Sequence, residues 1–125
     1  MHQKSVMKEN ILKKKSFHFA VIIIDICCQL NKKRMYVISN QLLRSGTSVG
    51  ANIEEADAAQ SKRDFITKMS IAAKEARESN YWLRLVQTSR RNQIDCNEVL
   101  VLSDEIIKML TASIKTEQQR LNTKH

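Results

Sequence analysis

The sequence predicts an all-α fold, an antiparallel up-down-up-down four-helix bundle. Three observations lead there. The 125 residues include no proline and only two glycines, whereas a β-rich fold needs many turns built from those residues. Apolar residues recur at three- and four-residue steps in four separate runs, the period of an amphipathic helix. The connections between runs are short, and short connections make neighbouring helices antiparallel. A hydrophobic content of 42% with 27% charged residues is ordinary for a soluble globular protein. The length suits one domain, residues 1–125, that needs no metal or disulfide staple.

Residues 1–15 are polar and lysine-rich and read as a basic arm or a frayed first turn. Ser16 is the candidate N-cap of the first helix, whose spacing is carried by Phe17, Ala20, Val21, Ile24, Cys27, Cys28 and Leu30. "NKKR", Asn31 to Arg34, closes it: Asn adopts the left-handed C-terminal conformation, and cations suit that end of the helix dipole. A second run begins near Met35, with Ile38, Leu42, Val49, Ile53 and Ala56 in period and the small Ser45 and Gly46 in the gap. It passes straight through "SGTSVG". No strand precedes that stretch and the GK[ST] of a P-loop is absent, so it is not a phosphate-binding loop. The third helix extends from about Ser61 to Arg90. Ser61 can cap it, Asp64 lies in its first turn, and Phe65, Ile66, Met69, Ala72, Ala73, Ala76, Leu83 and Val86 form its stripe. "RRNQID" breaks the pattern. Asp95 can cap a fourth helix carrying Val99, Leu102, Ile106, Leu110, Ile114 and Leu121.

Glycine inside a helix costs about 1 kcal/mol, so Gly46 and Gly50 imply a packing reason. A turn centred near Ser61 sets Gly50 opposite Ala72 and Gly46 opposite Ala76, a close contact of small residues between helices two and three. The same register sets Arg44 opposite Glu78 and Ser48 opposite Lys74. Arg44, Ser48, Asn52 and Glu55 form one polar line, and Lys74, Glu75, Glu78 and Tyr81 form another. These lines read either as a binding groove or as ion pairs that fix register. Charged helix faces are usually paired or solvated, which favours the second reading.

Motifs for catalysis or metal binding are missing. His2 and His125 are terminal, His18 lies near the start of helix one, and there is no HExxH or His–Cys cluster. Ser45 and Ser48 have no histidine base near them in sequence and GxSxG is absent. Glu54 with Glu55, and Glu75 with Glu78, lack the ExxH of di-iron bundles. The expectation is no catalytic residue, no metal and no cofactor. Cys27, Cys28 and Cys96 make no CxxC pair and read as small buried residues of a reducing, cytoplasmic compartment. "FAVIIIDICC" is too short to span a membrane and contains Asp25. No secretory signal is expected, because no small-residue cleavage site follows it.

Lys and Arg total 21 against 13 acids, a formal charge of +8, which favours polyanionic partners. The charge is uneven: residues 1–34 carry eight cations and two acids, residues 61–94 eight and three. In an up-down bundle the first and third connections share one pole, so Lys32, Lys33 and Arg34 fall near Arg90 and Arg91, with Arg84 about two turns away. The cluster reads equally as phosphate contacts or as capping of two helix C-termini. Ile71, Trp82 and Leu85 lie beside the main seam of helix three. A second apolar stripe of this kind marks an oligomer contact, which is preferred here over base stacking by Trp82; Tyr81 stays open.

"QLLRSGTSVGANIEEADAAQSKRDFITKMSIAAKEARESNYWLRLV", Gln41 to Val86, resembles a family of small bacterial four-helix bundle proteins first noticed as reading frames inside 23S rRNA intervening sequences. The strongest parts are Leu43, Arg44, Ser48, Asn52, Ile53, Glu54, Glu55 and Ala56 in helix two and "KEARESNYWL" in helix three. "KKKSFHFA" fits the family's first helix, while "VIIID" departs from relatives that carry a basic residue there. The resemblance implies a bundle that assembles into a homopentamer and implies no established enzymatic activity. A more distant likeness, to the accessory protein of diversity-generating retroelements, implies work with nucleic acid. The functional expectation is a non-catalytic oligomeric bundle contacting RNA or DNA through its basic pole. The alternative is a ring-shaped scaffold that recruits another protein.

Overall fold

The computed structural model describes residues 2–91 and 93–123, with side chains from residue 7 onward. Helices α1 (His2–Lys32), α2 (Tyr36–Asp57), α3 (Lys62–Thr88) and α4 (Asn97–Thr123) account for most of it, with no strand among the described residues. Each helix packs on its sequence neighbours, and α4 closes the ring against α1. The α2–α3 seam is the most extensive and the α1–α4 seam the least. This is the antiparallel four-helix bundle that the periodicity predicts. Phe19, Ile23 and Leu30 of α1, Leu42 and Val49 of α2, Met69 and Leu83 of α3, and Ile106 and Leu110 of α4 fill its centre. No helix of the described residues is long and apolar enough to cross a membrane.

The first helix departs from expectation in extent and in face. It begins at His2, so the lysine-rich segment is helical, and Leu12 within it is buried. Ser16 is therefore no N-cap; it lies buried in mid-helix and its hydroxyl donates to the Lys13 carbonyl. Leu12, Phe19, Ile23, Ile26, Cys27 and Leu30 point inward, whereas Phe17, Val21, Ile24 and Cys28 point out. The run of apolar residues holds two stripes at helical spacing, and extending the helix back to Leu12 selects the one that continues through Phe19.

The end of α1 is also built differently. Arg34 adopts the left-handed conformation (φ 61°), not Asn31. The Met35 N–H donates to the Leu30 carbonyl and the Arg34 N–H to the Asn31 carbonyl, both at 3.0 Å, the paired bonds of a Schellman motif with arginine where glycine is usual. Ser61 caps α3 as expected, accepting from the Asp64 N–H at 3.0 Å. Asp95 accepts from the Asn97 N–H at 2.9 Å and so serves the first turn of α4.

The glycines face α1, not α3. A Cβ placed on Gly46 would lie 2.7 Å from Ile23 Cγ2, and one on Gly50 would lie 3.6 Å from the Ser16 carbonyl oxygen. The α2–α3 register holds, since Arg44 meets Glu78 and Ser45 meets Ser79. The faces are rotated from those expected: Ala72 and Ala76 are buried in the core, while the glycines open room for α1.

Candidate nucleic-acid interface

The antiparallel topology brings the α1–α2 and α3–α4 connections to one pole. Lys32, Lys33 and Arg34 come from the first, Arg90 and Arg91 from the second, and Arg84 from the last turns of α3. All six are exposed, and none forms an ion pair among the described residues. Arg84 donates from Nε to Asn80 Oδ1 at 2.9 Å and lies 5.6 Å from the Tyr81 ring centroid. Asp95 and Glu98 at the start of α4 are the acids of this pole, so its balance is positive. Elsewhere on the bundle Lys13 is tied to Asp57, Lys15 to Glu105, Lys68 to Glu55 and Arg120 to Glu117. Among the described residues Arg34 and Gln93, one from each connection, are the non-glycine residues at positive φ.

The polar seam between α2 and α3 is a closed network. Arg44 donates to Glu75 Oε2 at 2.9 Å and, from its other terminal nitrogen, to Glu78 Oε2. Glu78 also accepts the Trp82 indole N–H at 3.0 Å. Behind them Ser79 donates to Ser45 Oγ at 2.9 Å, both fully buried. Lys74 is not Ser48's partner: Ser48 bonds back to the Arg44 carbonyl, and Asn52 donates to the Ser48 carbonyl. Arg77 does not join the carboxylates but reaches Thr111. Glu75 is only 10% exposed at its side chain, and a carboxylate that buried needs its cation. Arg44, Glu75, Glu78 and Trp82 bond to one another and Ser45 to Ser79, whereas Lys74 and the Tyr81 hydroxyl bond to none of these among the described residues. Of the seam's two buried hydroxyls, Ser45 reads from sequence as a small residue in the helix-two gap and Ser79 is not singled out, because serine at a core position looks like any surface serine.

Trp82 packs against the core edge, and Tyr81 meets it edge-on at 5.2 Å between centroids. Ile71, Tyr81 and Leu85 remain exposed along the outside of α3. Of the cysteines, Cys27 and Cys96 are buried as expected and Cys28 is exposed. Burial pushes the Cys96 thiol up to about 11, with the Asp95 carboxylate adding to it. Burial also raises Cys27, partly countered by its hydrogen bond to the Ser39 carbonyl. No group of three or more His, Cys, Asp or Glu among the described residues is arranged to hold a metal ion. His125 and the side chain of His2 lie outside the described residues.

Fold and site together define a basic four-helix bundle protein, zipped along α2–α3 by an arginine–carboxylate network. The chain belongs to the 23S rRNA-intervening sequence protein family, whose model matches residues 8–112. It is also similar to a crystal structure described as a protein with unknown function from the S23 ribosomal protein family of Bacteroides thetaiotaomicron. The two are 46% identical, the match covers 86% of this chain and 98% of that one, and the TM-score is 0.79. Comparison with curated proteins yields no match.

Proposed function

We propose that this protein is a non-catalytic, homo-oligomeric bundle that contacts RNA or DNA through its basic pole. One observation carries the reading. Arg34 occupies a left-handed position where glycine is the least costly residue, and holding a non-glycine residue there costs about 1–3 kcal/mol. That cost places an unpaired guanidinium beside Lys32 and Lys33. Solubility alone does not require a cation at so costly a position, and contact with a phosphate offers a role that offsets the cost. Repetition of the pole around an oligomer would make the contact multivalent. The pentamer that the family resemblance implies supplies such a repeat, with Ile71, Trp82 and Leu85 at or beside the subunit contact.

The test uses Arg34→Gly. The variant should unfold at higher denaturant, by about 1 kcal/mol, yet bind a labelled single-stranded RNA more weakly. Its slope of log K against log salt should be shallower by about one. A combined Lys32, Lys33, Arg34, Arg90 and Arg91 to Gln variant should lose the salt-dependent gel shift. Unchanged RNA affinity in both variants would favour the second reading, a scaffold for another protein.

A further inference from the structure

Two apolar faces lie on different sides of the bundle. One is the outside of α1: Phe17, 72% exposed, with Val21, Ile24 and Cys28 at helical spacing. The other is the outside of α3: Ile71, Tyr81 and Leu85. We propose that the α1 face of one copy docks on the α3 face of the next, a head-to-tail contact between copies of this chain. The inference rests on the oligomer reading above and supplies its missing counter-surface.

Register carries the argument. Hydrogen bonds between Cys27 and Ser39 fix the height of α1 against α2, and those of Ser45 with Ser79 and Arg44 with Glu78 fix α2 against α3. Carried across, Phe17 comes level with Ile71 to within a turn, Ile24 with Tyr81, and Cys28 with Leu85. A rotation axis running along the bundle preserves height, so Phe17 meets Ile71 and the stem of the exposed Lys74, Val21 falls at the level of Glu78, Ile24 meets Tyr81 and Cys28 meets Leu85. A two-fold pairing of either face on itself would run the stripe against its own reverse and leave the other face in water. The heterologous contact covers both, and such a contact repeats into a ring when the rotation closes.

The rims agree in charge. Asp25 is exposed and forms no ion pair among the described residues, on the edge of the α1 face away from α2. Arg84 lies within a turn of the same height, on the edge of the α3 face away from α2, where its neighbour Asn80 reaches Ser103 of α4. Facing two bundles through these surfaces sets those edges side by side, so acid meets base.

Cys28 provides the test, because Cys27 and Cys96 are buried. Full-length protein carrying Leu85→Cys is treated with a short bismaleimide, and its mass is measured by light scattering. The expected result is a ladder beyond dimer on a denaturing gel, abolished by adding Cys28→Ser. A second variant, Phe17→Cys with Ile71→Cys in the Cys28→Ser background, should give the same ladder. Wild-type dimers through Cys28 alone, or dimers that persist in Leu85→Cys with Cys28→Ser, would show self-pairing and overturn the proposal. A multimeric mass with no ladder in either variant overturns this contact while leaving assembly and RNA binding standing. A monomeric mass overturns the assembly as well.

Discussion

Gly46 and Gly50 sit one turn apart on the same side of α2, yet they answer differently to one added methyl. At Gly50 the new Cβ meets Ser16 at an ordinary 3.6 Å, so Gly50→Ala gains helix propensity unopposed, by about 0.5–1 kcal/mol. At Gly46 it would lie 2.7 Å from Ile23. Ile23 is fully buried and stiff at χ1, so it cannot step aside. Overpacking of about 1–3 kcal/mol then outweighs the propensity, and Gly46→Ala should lower the urea midpoint while Gly50→Ala raises it. Shifts of the same sign would disprove the α1 contact. A reason for helical glycines was legible in the sequence; their partner was not, because register along α2–α3 says nothing about which face turns to α1. A second residue-scale effect belongs to Glu9. Burial raises its pKa, with Asp57 and Glu117 adding to the rise and Lys13 opposing it. The folded state therefore holds the Glu9 proton more tightly than the unfolded chain. Below the usual glutamate range both states are protonated and nothing is lost; as pH rises above it, ionisation favours unfolding. Glu9→Gln should stabilise the protein at neutral pH and not at low pH, as measured by thermal melts across the acid range.

At the scale of the element, α1 is the instructive case. Lysines spread over residues 4 to 15 make the segment look like a solvated arm, but four of them fall on outer or edge positions of one continuous helix. Lys13 and Lys15 anchor it, to Asp57 and Glu105 at 2.8 and 2.9 Å. Leu12 lies between these anchors at 2% exposure, in a place that no loose arm provides. Leu12→Ala should therefore cost about 2–5 kcal/mol, the range for a buried leucine, read from the denaturant midpoint. A change under about 0.5 kcal/mol, typical of a surface position, would mean the segment does not pack. The four runs, the Ser61 cap and the α2–α3 register were all legible, because each rests on local spacing. The inward face of α1 was not. "FAVIIID" offers two stripes of nearly equal apolarity, and only the packing of Leu12, outside the run, separates them.

For the whole molecule, the two surfaces argued above rest on opposite physics. The pole would hold phosphates by charge, with release of condensed counterions, so its affinity should fall steeply with salt. A site neutralising 6–10 phosphates loses about 10³–10⁵ in affinity between 50 and 200 mM. The α1 and α3 faces would hold each other by apolar burial, which salt does not screen, with the Asp25 edge a minor term. Over that salt range the mass in light scattering should stay constant while RNA anisotropy falls away. Replacing Leu85 by Arg should do the reverse, lowering the mass at every salt concentration with most helical signal kept, since Leu85 is on the surface and 41% exposed. RNA affinity should then drop through lost multivalency, not through lost cations, so the slope per bound subunit should persist while the avidity disappears. If mass and RNA affinity instead fall together as salt rises in the wild type, charge holds the copies together, and the apolar faces belong to some other contact.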